Sequence, residues 1–429
     1  MKKDKVKILV FPCGSEIGLE IFRALALEKN IELIGGSSTN DHGRFIYKNY
    51  VDNLKFIYDS NFIDSLKKLI AEKKIDIIYP TMDEVIYILK KNEENLGCKV
   101  IGSDVYSLEI CNSKKNTYEY FKDFIKTPKI YSSVEKIEEF PVFIKPDRGY
   151  GSRKTLKANS KEELIFWLKK NMDQEMLILE YLDGKEYTVD CFNNYKNELL
   201  FCGPRTRNRI MNGISVNTKK DLTRIKEITH IARIINSKLK LRGAWFFQLK
   251  ENSKGDLVLL EIASRLGGSS GLFRAEGINF ALLTIYDLLG HDVKILNQDF
   301  IIEMDRALDN KYKLSTKFDT VYLDLDDCLI INDLINTELI KFLYQCINNK
   351  IKIILITKHK GNLEETLIEK RLKHLFDKII QLDEKEEKSN YINNKNSIFI
   401  DDSFSERFKV NKKIGIPTFG LDAISCLVN

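Results

Sequence analysis

FPVFIKPDRGYGS, residues 140–152, tells more about the fold than any other stretch of the chain. The apolar run ends in Lys145-Pro146, and a turn holding Gly149 and Gly151 follows, so the segment reads as a strand entering a glycine-bearing hairpin. A lysine on such a strand, with glycines and Ser152 a few residues on, can gather an ammonium and several backbone N–H groups around one polyphosphate. Upstream, Ser113 caps a helix in SKKNTYEYFKDF, and Lys114 at its start offers a second cation.

Working downstream, ILEYLDGKEY puts Glu180, Tyr181 and Leu182 at a strand end and Glu186 across a turn containing Gly184. Such a hinge can present backbone groups to an adenine and a carboxylate to ribose hydroxyls. Ser160 and Glu163 have the spacing of a capping box opening the intervening helix. Gln248 in WFFQLKE and Glu261 in VLLEIASR lie on two strands joined by Asn-Ser-Lys-Gly-Asp, where opposed side chains share a face. Oxygen donors of this kind suit Mg²⁺. Arg265, Gly267 and Gly268 follow, where a phosphoryl group can be gripped. Arg205, Arg207 and Arg209 in PRTRNRIMNG form a basic segment that reads either as phosphate-facing or as a solvated strand. Each piece alone is an ordinary turn or strand end; it is their order that argues for a site.

Upstream of all this, residues 6–105 alternate short apolar runs with amphipathic stretches, the rhythm of a parallel α/β sheet. The first turn, Pro12-Cys13-Gly14-Ser15-Glu16-Ile17-Gly18, falls short of GxGxxG and lacks the Lys-Ser/Thr of a P-loop. It reads as a strand-to-helix turn facing a substrate cleft. From about residue 109 the pattern becomes α+β. Residues 308–318 are polar and aperiodic, a linker, after which a second α/β alternation begins.

That last segment has its own constellation. VYLDLDDCLI reads as a strand ending with Asp324 and Asp326 at i and i+2 on one face, where converging carboxylates demand a cation. IILITK ends another strand at Thr357, and SIFIDD ends a third at Asp401 and Asp402. Lys388, or less favourably Lys385, lies between them.

At 429 residues the chain exceeds the roughly 250–300 at which one core stops growing, so several domains are expected. Its 43% hydrophobic and 30% charged residues are those of a globular protein. The charge of +6 comes from 68 basic against 62 acidic residues without a basic block, which argues against nucleic acid. The eight cysteines include no CxxC pair and read as reduced, mostly buried residues. No run approaches the roughly 18–20 apolar residues that span a bilayer, and the N-terminal run ends too early for a signal peptide. A cytoplasmic protein that binds no membrane is the expectation.

Over roughly residues 1–310 the ordered motifs resemble the ATP-grasp superfamily, in the branch of carbamoyl phosphate synthetase large subunit and biotin carboxylase. The resemblance implies ATP and Mg²⁺ as cofactors. Lys114, Lys145 and the loop with Gly149, Gly151 and Ser152 would contact phosphates. Glu180, Tyr181 and Leu182 would hold the adenine and Glu186 the ribose. Arg205 would face the nucleotide phosphates, Gln248 and Glu261 the metal, and Arg265 the transferring phosphoryl group. The superfamily usually reads Glu-Ile-Asn-Pro-Arg where this chain has Glu261-Ile262-Ala263-Ser264-Arg265. Either Ser264 or water replaces the Asn, or one metal binds weakly, or catalysis is lost.

Over about 318–425 the chain resembles the haloacid dehalogenase superfamily. That implies Asp324 as nucleophile, Asp326 as acid and base, Thr357 and Lys388 as phosphoryl holders, and a Mg²⁺ site drawn from Asp324, the backbone of residue 326 (Asp326), Asp401 and Asp402. Cys328 stands where that family usually has Thr. Only 33 residues separate Asp324 from Thr357, and 28 separate Thr357 from Lys385, leaving no room for a cap domain. The implied fold class is α/β and α+β multidomain: a pre-ATP-grasp parallel α/β domain (1–108), an ATP-grasp fold (109–312) and a capless, Rossmannoid haloacid dehalogenase-like domain (318–429).

The implied function is bifunctional, a carboxylate–amine ligase working through an acyl phosphate joined to a phosphatase. Its partners would be a small-molecule carboxylate and an amine, the amine bearing a phosphate handle in one version. Two rivals are unrelated activities on one chain and an ATP-binding sensor with a weakened metal site. The oligomeric state is left open, a homodimer included.

Overall fold

The computed structural model describes residues 5–428 apart from 150–153, 212, 297, 299–301, 310, 311 and 313. Gly151 and Ser152 therefore lie outside the described residues. Two units emerge, Met1–Leu308 and Asp309–Asn429. The boundary expected at 108/109 falls inside the first unit, where it would cut the helix Val105–Asn112.

The first unit begins with β1 (Val6–Phe11), β2 (Ile31–Gly36), β3 (Asn49–Val51), β4 (Ile77–Pro80) and β5 (Lys99–Val100), all parallel in the order β3-β2-β1-β4-β5. Helices cover both faces, so Ile8, Leu9 and Val10 in succession are fully buried rather than alternating. Strand order reverses between β1 and β4, and in open α/β sheets ligand crevices form at such a switch point. The turns after β1 and β4 meet there, with Ser15 Oγ donating to Thr81 Oγ1 at 2.8 Å. Ser15 also caps the helix Glu16–Leu25 by accepting from Gly18 N–H.

Next come β6 (Ile130–Tyr131), β7 (Val142–Pro146), β8 (Leu156–Ala158) and β9 (Met176–Glu180), an antiparallel sheet ordered β6-β9-β7-β8. The helix Lys161–Lys170 follows β8. Ser160 Oγ accepts from Glu163 N–H, but the Glu163 carboxylate accepts from Asn159 N–H rather than Ser160 N–H, so the expected capping box is closed on one side only. A second antiparallel sheet is built from β10 (Glu186–Asn193), β11 (Leu199–Thr206), β14 (Gly243–Glu251) and β15 (Leu257–Ala263) in the order β11-β10-β14-β15, while β12 (Arg209–Met211), β13 (Ile214–Lys219) and β16 (Glu303–Asp305) form a small third one. Alternate residues of β14, among them Trp245, Phe247 and Leu249, pack with Ile228, Ala232 and Ile235 of the helix Ile225–Lys238. The intervening Gln248 is thereby left on the opposite face.

In the second unit β17 (Thr320–Leu323), β18 (Ile330–Ile331), β19 (Leu334–Ile335), β20 (Lys352–Thr357), β21 (Lys378–Gln381), β22 (Ser397–Ile400) and β23 (Thr418–Phe419) give a parallel five-stranded sheet, β21-β20-β17-β22-β23, and a short hairpin, β18-β19. One reading is corrected. The first strand stops at Leu323 instead of running through Asp326, and Asp327 has φ of +53°, so strand alternation does not put Asp324 and Asp326 on one face. No described helix is long and apolar enough to cross a membrane.

Candidate nucleotide and phosphoryl-transfer sites

A cavity in the first unit is lined by Lys114, Lys145, Gly149, the hinge Glu180-Tyr181-Leu182, Glu186, Gln248 and Glu261. Six elements, from the helix Lys114–Phe121 to β15, thus converge on one space. Lys145 is buried near the end of β7, and its Nζ donates to Leu260 O at 3.2 Å and lies 5.4 Å from the Tyr118 ring centroid. Leu260 is skipped in the pairing of β14 with β15, where Gln248 opposes Glu261 but Leu249 opposes Leu259. That bulge frees the Leu260 carbonyl, which accepts from both Lys145 and the Tyr118 hydroxyl (2.6 Å). Lys114 Nζ donates to the carbonyls of Asp147 (3.1 Å) and Gly149 (3.2 Å), which holds the start of the glycine loop. Glu180 accepts from Lys129 N–H through its carboxylate, and its own N–H donates to Lys129 O. Glu186 is ion-paired with Arg207, whose Nη2 donates to Gly213 O.

Burial, reinforced by the nearby Lys114 charge, pushes the Lys145 ammonium down to about 7, against the opposing pull of Glu261, Glu186 and Asp147. A polyphosphate would favour the charged form. Nucleotide binding at about pH 8 is therefore expected to take up close to one proton, and at about pH 6 almost none, so affinity weakens as pH rises above 7. Titration calorimetry in two buffers of different ionisation enthalpy reads this directly, and Lys145→Gln should remove the uptake.

Gln248 and Glu261 lie opposite each other in register and line both this cavity and a larger one beyond it. Their oxygen donors fit a Mg²⁺ shared with substrate phosphates. Arg205 departs from its expected place. Its Nε donates to Asp190 Oδ2 at 2.6 Å, both side chains are buried, and it lines the larger cavity rather than the one around Lys145. Arg207 is the basic residue that lines both. Arg265 donates to Asp83 Oδ2 at 2.8 Å, a partner 182 residues away for which the sequence held no signal. Arg209 pairs with Asp305. The Ser264 hydroxyl shares a buried hydrogen bond with Ser103 and lines neither cavity, so it does not replace the usual Asn side chain.

In the second unit Asp324, Asp401 and Asp402 each offer a carboxylate oxygen, and these lie within 4.8 Å of one another. Lys388 is buried between them and donates 2.7 Å bonds to Asp324 Oδ2 and Asp401 Oδ2, whereas Lys385 is exposed. Thr357 ends β20, fully buried, its Oγ1 accepting from His359 N–H. Asp326 stands apart from this cluster. Its half-exposed carboxylate is turned to His359, which donates Nδ1–H at 2.9 Å, and it is not one of the three clustered carboxylates. Burial raises Asp401 to about 6 despite Lys388 beside it. A proton competes with a cation for such a group, so Mg²⁺ affinity is expected to fall as pH drops through about 6. Metal titrations followed by calorimetry at several pH values check this.

Residues 172–315 match the family model described as ATP-grasp in the biosynthetic pathway with Ter operon. A D-alanine–D-alanine ligase of Fusobacterium nucleatum is 33% identical over 184 residues, 40% of this chain and 62% of that protein. A tyramine–L-glutamate ligase of Methanocaldococcus jannaschii is 26% identical over 156 residues, 34% of this chain and 44% of its own. The chain thus spans less than two thirds of the length of these curated relatives. Among solved structures, the biotin carboxylase domain of Hydrogenobacter thermophilus 2-oxoglutarate carboxylase, in complex with MgADP, superposes with a TM-score of 0.58 at 16% identity, covering 69% of this chain and 72% of that one. N5-carboxyaminoimidazole synthetase of Staphylococcus aureus, complexed with ADP, gives 0.58 at 17% identity, covering 70% and 80%. L-amino acid ligase of Bacillus licheniformis gives 0.54 at 18%, covering 67% and 75%. Residues 172–315 are thus similar to an ATP-grasp family, and the chain shares a fold with these solved structures over 67–70% of its length.

Proposed function

We propose that the first unit is an ATP- and Mg²⁺-dependent carboxylate–amine ligase working through an acyl phosphate, and that the second is a Mg²⁺-dependent phosphomonoesterase of the haloacid dehalogenase type. The observation that carries the first half is the pair Gln248 and Glu261, common to a cavity lined by Lys114, Lys145 and Gly149 and to a second cavity beyond it. In this reading a carboxylate oxygen attacks the γ-phosphorus of ATP, the bond to the β-phosphate oxygen breaks and ADP leaves. An amine nitrogen then attacks the acyl carbon, and phosphate departs. Lys114 and Lys145 hold the phosphates, Glu186 the ribose, Gln248 and Glu261 the Mg²⁺, and Arg265 the transferring group. The names of the ligases among the relatives favour amide formation over carboxylation.

For the second unit, support comes from three carboxylates and one buried lysine gathered where strand order reverses between β17 and β22. Asp324 attacks phosphorus, the ester oxygen leaves with a proton from Asp326, and water then hydrolyses the aspartyl phosphate. Mg²⁺ at the carboxylates supplies charge neutralisation for the incoming phosphate. Ala263, with Ser264 engaged elsewhere, favours a second reading in which nucleotide binds without turnover. Incubation with ATP, Mg²⁺, hydroxylamine and a panel of carboxylates separates the two. Carboxylate-dependent ADP and hydroxamate formation is the expected result, while tight ATP binding with no product across the panel would favour a sensor.

A further inference from the structure

The larger cavity beyond Gln248 and Glu261 has an empty volume of about 1410 Å³ and is walled on one side by the turns of the first sheet. Apart from Glu261, the metal-site carboxylate of the ligase reading, the charges that line it can be matched one by one. Arg205 is paired with Asp190, Arg207 with Glu186, Arg265 with Asp83, and Glu16 with Arg306. A phosphate handle on the amine substrate would find no unmatched guanidinium here. Asp41 is different. It lines the cavity, accepts from Ser37 Oγ at 2.6 Å and Gly43 N–H at 2.9 Å, and has no ion pair among the described residues. Its carboxylate lies against Gly14, where an added Cβ would come within 2.1 Å of Asp41 Cγ, so the missing side chain at Gly14 is what admits the acid to this wall.

We propose that the amine substrate carries a second, non-reacting ammonium, and that Asp41 binds it. The attacking nitrogen must be neutral when it meets the acyl phosphate, so the charge recognised by Asp41 belongs to a different group of the same molecule. The substrate class is then a diamine or a basic amino compound, not a phosphorylated amine. This rests on the ligase reading of the same cavity.

The test uses the full chain with MgADP bound, titrated with putrescine, butylamine, ethanolamine and O-phosphoethanolamine. Putrescine is expected to bind at least about tenfold tighter than butylamine, the gain of one charge-assisted hydrogen bond. Asp41→Asn, which keeps an acceptor for Gly43 N–H, should abolish that difference without changing the affinity for MgADP. Should that variant fail to fold, the wild-type comparison decides alone. Equal affinity for putrescine and butylamine, absence of putrescine binding, or O-phosphoethanolamine binding more tightly than ethanolamine would overturn the proposal. The nucleotide titration reads the ligase assignment separately: failure to bind MgADP beside Asp41-dependent diamine binding would sink that assignment and reduce this one to a diamine site at Asp41, whereas MgADP binding without diamine discrimination would overturn this proposal alone.

Discussion

Lys145→Ala is expected to lower ATP-dependent ADP release by about two to three orders of magnitude, the size of effect seen when one preorganised charge at a transferring phosphoryl group is removed. Its position motivates the expectation: the ammonium is buried, faces the cavity and is anchored by Leu260 O. Stability should move little or even rise. A buried ammonium whose charged form is disfavoured down to about 7 contributes little to folding in the absence of a nucleotide, and Tyr118 continues to satisfy the Leu260 carbonyl. Steady-state ADP release and a thermal melt of the same preparation check both halves, and the phosphatase activity proposed for the second unit is expected to be unchanged. Unchanged ADP release would remove Lys145 from the phosphate site.

Asp324→Asn is the second large effect, a loss of hydrolysis for every phosphate monoester, because an amide cannot supply the attacking oxyanion. Asp326→Asn should behave differently. As a proton donor it matters most when the leaving oxygen is basic, so alkyl phosphates should suffer far more than aryl phosphates, by about 10²–10⁴-fold against much less. The structure keeps the two groups apart, Asp324 bonded to Lys388 and Asp326 to His359. If both variants lost aryl and alkyl substrates in the same proportion, the acid would have to be another group.

What could be read before folding was mostly what lies along one strand or turn. Lys145 at the end of β7, the facing strands with Gln248 and Glu261, and the hinge from Glu180 to Leu182 are local patterns of period two broken by glycines, and they reappear lining one cavity. Three things were not legible. Ion pairs such as Arg265 with Asp83 join residues far apart in the chain, and only the packing of the first sheet against the second brings them together. The neutralisation of Arg205 by Asp190 depends on the pairing of β10 with β11, which puts the partner within reach at a separation no spacing rule marks. The end of the strand before Asp324 was the third, because an apolar run followed by acids does not reveal where a strand stops.

The bulge at Leu260 bears on how this protein tolerates change. One unmatched residue in β15 sets Glu261 opposite Gln248 and at the same time turns out the carbonyl that tethers Lys145. Apart from Glu261, side chains along Leu257–Ala263 can vary within the demands of the core, because neither role of the bulge depends on the identity of Leu260. Residue number cannot vary. Deleting Leu260 would straighten the hairpin and withdraw the tether of Lys145, although Glu261 would still meet Gln248 in register, and an insertion would move Glu261 out of that register. In a mutational library spanning this hairpin, substitutions should give a graded spread of activities, whereas single-codon insertions and deletions should fall almost entirely into the dead class.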